Sequence, residues 1–460
     1  MIAPTYLIRR LFLLVLGDFL VAAGSFYSAA LMTGLIPAID PARVQGMYAA
    51  SGLFALASVG ALYFNDVYAL ERSHSRWRLV RSIVEVECGL AIALPFFLLV
   101  IPWLNFGRRL YIGYFLIATP ALILWRLGIT TAFSHRIIRG VAIVGIGEEA
   151  ALLASEVIDR AHLGYRFLGF VNHGREHEAK SPRPHPQMHA VSSLAELLPL
   201  RELNTLVITG SEHPPFSAGE VMKLKLNGVE IIGFESFYER LIGRLPVHQI
   251  SERWLLYAPG FYNSRISSTI KRAVDIAGAL VLGVVSLPLW PLIAIAVKLD
   301  SHGPLLYTQR RVGRNDGHFR IYKFRSMRHD AESATGPTWA DDHDPRVTRV
   351  GAILRKFRLD ELPQLWNVLR GDMSLVGPRP ERPEFVGELS KAFPLYDYRH
   401  FVRPGLTGWA QVCYPYGASF DDAREKLCYD LYYIKNQSMV LDIQIMLQST
   451  KVVLFGRGSR

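Results

Sequence analysis

Two adjacent carboxylates, Asp360 and Glu361, stand among Arg355, Lys356 and Arg358 in the run Arg355-Lys-Phe-Arg-Leu-Asp-Glu-Leu-Pro-Gln364. The same stretch closes on Gly377-Pro-Arg-Pro380, which holds Arg379 between two prolines. Proline fixes φ and carries no N–H, so this loop aims one guanidinium from a stiff backbone. A carboxylate pair beside fixed cations is what chemistry on a magnesium-bound phosphate requires. Adjacent helical side chains point about 100° apart, so the pair is expected at a helix end or bend, where Pro363 also places it. Lys356 and Arg358 stand equally at ion-pair spacing to the two acids, and Asp372 suits either a metal or the turn after Gly371.

Further cations flank this stretch. Gln309-Arg-Arg-Val-Gly-Arg314 precedes Phe319-Arg-Ile-Tyr-Lys-Phe-Arg-Ser-Met-Arg328, which alternates as a strand with Lys323 and Arg325 on one face. Downstream lies Arg403-Pro-Gly-Leu-Thr-Gly-Trp-Ala-Gln411. Arginine and lysine converging on one point make a phosphate cradle, so Lys323, Arg325, Arg379 and Arg403 are the candidate phosphate ligands. A basic membrane-facing surface explains the charge as well, but not the glycine and proline punctuation. Trp409, Tyr414 and Tyr416 suit either stacking on a base or sugar, or an interfacial aromatic belt.

The elements that must hold this site begin with Ile276–Val297, apolar and long enough to cross a bilayer but interrupted by Pro288 and Pro291. Its flanks are basic on both sides, with Lys271 and Arg272 before and Lys298, Arg310 and Arg311 after. A crossing segment shows an asymmetry, so a broken, re-entrant helix is expected, with Leu287 rather than serine before the first proline. The Met439–Phe455 run, interrupted by Asp442, Gln444, Gln448 and Lys451, reads as an interfacial or packed helix.

Upstream, Gly140-Val-Ala-Ile-Val-Gly-Ile-Gly-Glu-Glu-Ala150 reads as a buried strand, a glycine turn and a helix start. Strands near 167–171, 205–209 and 229–233 alternate with helices near 150–161, 193–198 and 218–226, which makes a parallel, Rossmann-like α/β domain. The 172–190 insert is read as a surface loop. Asn172 and His173 stand where a ribose-binding acid is expected, and Glu148 and Glu149 put negative charge where a pyrophosphate would dock. A structural domain is therefore preferred to a dinucleotide site, with dimerisation as a candidate role.

The first third holds four apolar stretches, about Leu7–Thr33, Gly46–Ala69, Leu79–Pro102 and Leu110–Phe133. Basic residues concentrate at Arg9 and Arg10, at Arg72, Arg76, Arg78 and Arg81, and at Arg136 and Arg139. The positive-inside rule thus places both ends of this bundle in the cytoplasm. Glu85 and Glu87 lie within the third span and are expected to snorkel; with no other buried charge, a transporter is not indicated. Half of the 460 residues are hydrophobic and the formal net charge is +11, with mean hydropathy +0.19. Three cysteines without a C-x-x-C exclude a disulfide framework or cysteine zinc site.

From about Ser268 onward the chain resembles the monotopic polyprenyl-phosphate phosphoglycosyl transferases, the bacterial sugar transferase family. The resemblance rests on Lys271-Arg-x-x-Asp275, Tyr322-Lys-Phe-Arg-Ser-Met327, Leu359-Asp-Glu-Leu362, the run from Asn367 to Pro380, the run from Arg403 to Gln411, and Asp430-x-Tyr-Tyr-x-Lys-Asn436. It implies a membrane protein with four transmembrane helices (1–138), a Rossmann-like α/β domain (139–250), a connector (251–268) and a mainly α catalytic domain behind a re-entrant helix (269–460). It further implies transfer of a sugar phosphate from a UDP-sugar to undecaprenyl phosphate at the cytoplasmic face of a bacterial inner membrane. Asp360 would be the nucleophile and Glu361 the Mg²⁺ ligand; no nucleic acid is involved. Competing readings are a membrane-bound nucleotide-sugar dehydratase or epimerase, for which no Tyr-x-x-x-Lys pair is present, and a non-enzymatic membrane scaffold.

Overall fold

The computed structural model describes residues 5–34, 41–68, 76–134, 138–145, 147–172, 188–190, 202–210, 217–250, 252–262, 264–328, 344–414, 417 and 419–455. The chain divides into two compact units, Met1–Leu241 and Ile242–Arg460.

In the first unit, α1 (Thr5–Met32), α2 (Pro41–Phe64), α3 (Arg76–Val100) and α4 (Arg108–Ser134) are each long and apolar enough to cross a membrane. Their charges depart from expectation. Glu85 is exposed and pairs with Arg81 at 2.7 Å, but Glu87 is only 2% exposed and does not snorkel. Asp18 of α1 and Arg126 of α4 are buried together, with Arg126 Nε donating to Asp18 Oδ1 at 2.9 Å. Tyr68 OH donates to Asp18 Oδ2 at 2.6 Å, and the Arg126 guanidinium lies 4.4 Å from the Tyr68 ring centroid. A lone charge is expensive in hydrocarbon, and this neutral, hydrogen-bonded pair removes that cost. Its members are 108 residues apart, so sequence windows do not reveal it.

The α/β part follows: β1 (Arg139–Val144), α5 (Glu148–Asp159), β2 (Tyr165–Asn172), β3 (Met188–Ala190), β4 (Leu203–Ile208), α6 (Ala218–Leu226), β5 (Glu230–Gly233) and α7 (Phe234–Ile242). All strands pair in parallel, in the order β3-β2-β1-β4-β5. The central strand β1 is buried from Val141 to Val144. Strand β3 falls inside the segment expected to be loop, and the helix expected near 193–198 lies outside the described residues. Helix α7 was not expected; Phe234, Phe237 and Leu241 bury its apolar face. Gly145 turns the chain at φ +109°, where a Cβ would sit 2.4 Å from Thr209 Oγ1. In the first turn of α5, Glu149 accepts the Gly210 N–H, and burial followed by Glu235 raises its pKa. A carboxylate thus sits beside the helix N-terminus that would otherwise receive a phosphate.

In the second unit, α8 (Glu252–Tyr257) lies in the expected polar connector. Trp254 is buried beneath the Lys435 ammonium, 4.5 Å from its ring centroid. Then α9 (Arg265–Ser286) and α10 (Leu289–Asp300) meet at 65°. Pro288 and Pro291 each withdraw an N–H from the helical ladder, and i→i+3 bonds recover the carbonyls: Leu287 N–H donates to Val284 O and Trp290 N–H to Leu287 O, each at 3.2 Å. Ser286 Oγ donates at 3.2 Å to Gly283 O, the carbonyl that Leu287 N–H leaves when it bonds Val284 O instead.

An antiparallel hairpin of β6 (Leu306–Val312) and β7 (His318–Phe324) follows, then α11 (Arg349–Lys356), α12 (Gln364–Arg370), β8 (Ser374–Val376), α13 (Pro383–Ala392), β9 (Gly405–Thr407), α14 (Trp409–Cys413), α15 (Phe420–Lys435) and α16 (Met439–Phe455). The motif residues Lys271 and Asp275 are clamps. Lys271 Nζ donates to Asp442 Oδ2 of α16 at 2.7 Å, and Asp275 Oδ1 accepts the Leu375 N–H of β8 at 3.1 Å. Helix α16 is packed, as expected, through Leu441, Asp442 and Ile445.

Candidate active site

Helix α11 delivers the carboxylates. Its orphan N–H groups are capped by Thr348 Oγ1, which accepts from Gly351 N at 3.0 Å, and by Asp300 Oδ2 at the end of α10, which accepts from Val350 N at 2.9 Å. The helix stops at Phe357, and Arg358 takes a left-handed conformation (φ +54°, ψ +20°). A non-glycine residue pays roughly 1–2 kcal/mol to sit there. That turn starts a 3-10 turn over Leu359–Glu361, and Pro363 then caps α12. Leu359 and Leu362 pack on the cluster of Ile293, Val297, Phe324 and Leu354. The second half of the broken apolar helix is therefore part of the core on which the Asp360–Glu361 turn rests.

Both carboxylates are 6% exposed. Glu361 Oε1 gathers three cations: Arg379 Nη2 at 2.7 Å, Lys323 Nζ at 3.1 Å and Arg358 Nη1 at 3.8 Å. Burial alone would raise the Glu361 pKa, but Arg379, Lys323 and Arg358 outweigh it and hold the group well below the ordinary carboxylate range. Asp360 moves the other way, raised by burial and by the Glu361 charge against the pull of Lys323, Arg355 and Arg379. Its Oδ1 is buried with no hydrogen-bond partner. Burial lowers Lys323, with Glu361 opposing. One acid is thus firmly ionised and tied; its neighbour keeps an uncommitted oxygen.

Other side chains fix this geometry. Asn367 is fully buried; its Nδ2 donates to Arg320 O at 2.7 Å, and its Oδ1 accepts from Tyr322 N at 3.2 Å. This bolts α12 to the strand that carries Lys323. Arg272 of α9 donates to Val368 O and Leu369 O at 2.7 and 2.9 Å, satisfying the last carbonyls of α12. Strands β8 and β9 pair so closely that a Cβ on Gly405 would lie 2.1 Å from Gly377 N.

Of the four cations expected at the phosphate, Lys323 and Arg379 come together. Arg325 and Arg403 bind elsewhere. Strand β7 ends at Phe324, so alternation stops short of Arg325. Its Nη1 donates to Pro304 O at 2.6 Å, and its Nη2 to Ser301 O and Oγ at 2.6 and 3.1 Å. Arg403 Nε donates to Gly371 O at 3.1 Å; burial, Arg272 and Arg314 lower its pKa. Trp409 neither stacks on a ligand nor lines an interface. It is 1% exposed, donates to Gly243 O at 2.7 Å and stacks on Tyr432. Tyr414 OH donates to Asp422, and Tyr416 lies outside the described residues. Asp372 sits in the turn after α12, 3.4 Å from Asn367 Nδ2. Asn367 was not singled out from sequence, although a polar residue inside Leu365-Trp-Asn-Val-Leu369 is a signal for a buried hydrogen-bonding role.

The model of the bacterial sugar transferase family matches residues 266–456. Exopolysaccharide production protein PSS of Rhizobium leguminosarum bv. phaseoli is 44% identical over 182 residues, 38% of this chain and 91% of that protein. The chain belongs to the bacterial sugar transferase family. Two longer relatives are also similar. The UDP-N-acetylgalactosamine-undecaprenyl-phosphate N-acetylgalactosaminephosphotransferase of Aeromonas hydrophila is 44% identical over 232 residues, 50% of this chain and 54% of the relative. The undecaprenyl-phosphate glucose phosphotransferase of Komagataeibacter xylinus is 34% identical over 340 residues, 72% of this chain and 62% of the relative. The chain spans little more than half the length of either. The family match runs from α9 into α16 and contains every residue of the carboxylate–cation cluster.

Among the described residues no group of three or more His, Cys, Asp or Glu gathers at one point. The donors still fit Mg²⁺, which is held in such sites by one or two carboxylates plus substrate phosphate oxygens. Glu361 meets Lys323, Arg358 and Arg379 through Oε1 alone, which leaves its second oxygen as a hard donor of that kind beside Asp360.

Proposed function

We propose that this sugar transferase moves a sugar phosphate from a UDP-sugar to undecaprenyl phosphate, releasing UMP and initiating a lipid-linked glycan or exopolysaccharide. The observation that carries the reading is the division of labour in one turn. Glu361 binds three cations through a single oxygen, whereas buried Asp360 keeps Oδ1 uncommitted. An Asp360 oxygen attacks the sugar-bearing phosphorus, and the P–O bond to UMP breaks with its electron pair leaving on UMP. The resulting acyl phosphate is then attacked by the lipid phosphate, which returns Asp360 as a carboxylate and yields the lipid diphosphate sugar. Lys323, Arg358 and Arg379 neutralise the diphosphate in both steps. Mg²⁺ held by Glu361 would supply further neutralisation of the diphosphate and the departing UMP.

The 65° break between α9 and α10 and the shared core under the catalytic turn support a re-entrant helix. The four spans would then leave the second unit on the cytoplasmic face of the inner membrane, where UDP-sugars are. The strand order of the α/β part supports a Rossmann-like domain, and Glu149 beside α5 supports a structural role for it. The direct test supplies UDP-sugars, undecaprenyl phosphate and Mg²⁺ to the full chain and follows UMP. UDP-sugar without lipid should leave a phosphosugar adduct on Asp360, visible by intact mass. Wild-type turnover by Asp360→Asn would remove the nucleophile assignment, and a C-terminal tag labelled only from outside the cell would remove the re-entrant topology. A donor panel of UDP-glucose, UDP-galactose and UDP-N-acetylgalactosamine identifies the sugar.

A further inference from the structure

The loop from Gly377 to Glu381 has two prolines and so lacks two N–H groups; its carbonyls must find donors elsewhere. Those of Pro378 to Glu381 are met one by one. Gly405 N–H donates to Pro378 O at 2.8 Å, Arg311 Nη1 to Pro380 O at 3.1 Å and Val312 N–H to Glu381 O at 3.0 Å. The carbonyl of Arg379 itself accepts from Arg399 Nη2 at 3.0 Å.

Arg399 is 7% exposed. The nitrogen that serves Arg379 also donates to Asp430 Oδ2 at 2.8 Å, while Nη1 donates to Tyr396 OH and the guanidinium lies 4.9 Å from the Tyr396 ring centroid. Asp430, on α15, is 2% exposed. A buried ion pair is a poor source of stability, because desolvation offsets its attraction. What this pair supplies is direction. A planar fork held by a carboxylate on one side and an aromatic ring on another presents its N–H at one fixed place. That place is the peptide from which Arg379 reaches Glu361 at 2.7 Å.

We propose that Arg399, held by Asp430, is a positioning residue that fixes the Arg379 peptide and thereby aims the Arg379 guanidinium at the diphosphate. The inference rests on the reading of Arg379 as a diphosphate-binding group. It assigns no contact between Arg399 and substrate; every effect passes through Arg379.

The test is a double-mutant cycle on UDP affinity, measured by titration calorimetry on the full chain in detergent with Mg²⁺. Arg399→Lys keeps a charge for Asp430 but has no fork to serve Arg379 O, and should weaken UDP binding roughly tenfold, the scale of one charge-assisted hydrogen bond. In an Arg379→Ala background the same substitution should change nothing further. Equal losses in both backgrounds, or no loss in the first, overturn the proposal and leave Arg399 a purely structural residue. If Arg379→Ala alone binds UDP as wild type does, the diphosphate reading of Arg379 falls and this inference with it. Should the thermal midpoint show that Arg399→Lys does not fold, Asp430→Asn carries the same cycle, since asparagine keeps an acceptor for Arg399 without the charge.

Discussion

Replacing Arg325 with methionine separates a phosphate ligand from a fold anchor. Its guanidinium makes three short hydrogen bonds, to Pro304 O, Ser301 O and Ser301 Oγ, just past the end of α10. Methionine matches much of the stem but leaves the two carbonyls without that donor. Each unsatisfied acceptor costs ~1–3 kcal/mol, and removing a buried charge recovers part of that sum. A net loss of about 3 kcal/mol is expected. For a unit of this size, each kcal/mol corresponds to roughly 2–4 °C, so the apparent midpoint should fall by about 6–12 °C in a thermal-shift assay. UDP affinity per folded molecule, measured below that midpoint, should stay within twofold. An unchanged midpoint with a tenfold weaker UDP complex would refute the reasoning and return Arg325 to the phosphate.

Gly405→Ala drives a Cβ to 2.1 Å from the Gly377 amide nitrogen; the clash is backbone on both sides, so turnover should drop more than about a hundredfold with a lowered midpoint. Asn367→Leu strands the Tyr322 N–H and the Arg320 carbonyl, costing about 2–5 kcal/mol and read as a fall in thermal midpoint. Burial pushes Asp430 up to about 6, against Arg399 and Lys426 and with Glu381. A raised acid holds its proton more tightly when folded, so its stabilising effect is full below about pH 4 and fades as pH rises through about 6. Binding should run the opposite way: below pH 6 the wild-type UDP affinity should fall toward that of Asp430→Asn, and a constant ratio across pH 5–8 would contradict the assignment. Pro288→Ala should keep most of its turnover and the wild-type side for a C-terminal tag; labelling of the tag from outside would show that Pro288, not packing, holds the bend.

Local pattern carried far into this chain because many of its elements are local events. Four long apolar runs give α1–α4, the glycine turn after Val144 gives a strand–helix junction, and Pro288 and Pro291 give a break. Side-chain destination was less legible. Alternation placed Lys323 and Arg325 on one face, but the strand ends between them, and Arg325 turns back to α10. Arg126 finds Asp18, and Arg399 finds Asp430, across separations that no window of sequence spans. Trp409 looks like a stacking platform in a glycine-rich motif, yet its indole is sealed against Tyr432. Cations are the hardest to place from sequence, because a guanidinium that cradles phosphate and one that caps a helix end use the same donors.

The bend between α9 and α10 has two possible causes, and magnitudes decide between them. Proline in a helix interior costs about 3 kcal/mol, so restoring alanine at 288 returns at most that much to a straight rod. Straightening would withdraw α10 from the cluster in which Ile293, Val297, Phe324 and Leu354 are buried. Moving Ile293 and Val297 from this cluster into lipid forfeits their packing on Phe324 and Leu354 but little hydrophobic free energy. The Asp300 cap on Val350 adds about 1 kcal/mol, and the Arg325 network about 3 kcal/mol by the reasoning above. The cap and the Arg325 network alone, about 4 kcal/mol together, exceed the roughly 3 kcal/mol that one proline withholds. Packing therefore holds the bend, and the prolines remove the competing straight helix. The same contacts fix the catalytic turn: Asp300 caps the helix that leads into it, and Leu359 and Leu362 lie on the core that α10 completes. In the proposed re-entrant arrangement, α10 couples the depth of the membrane hairpin to the position of Asp360, so that a lipid phosphate and the nucleophile are brought together by one rigid body.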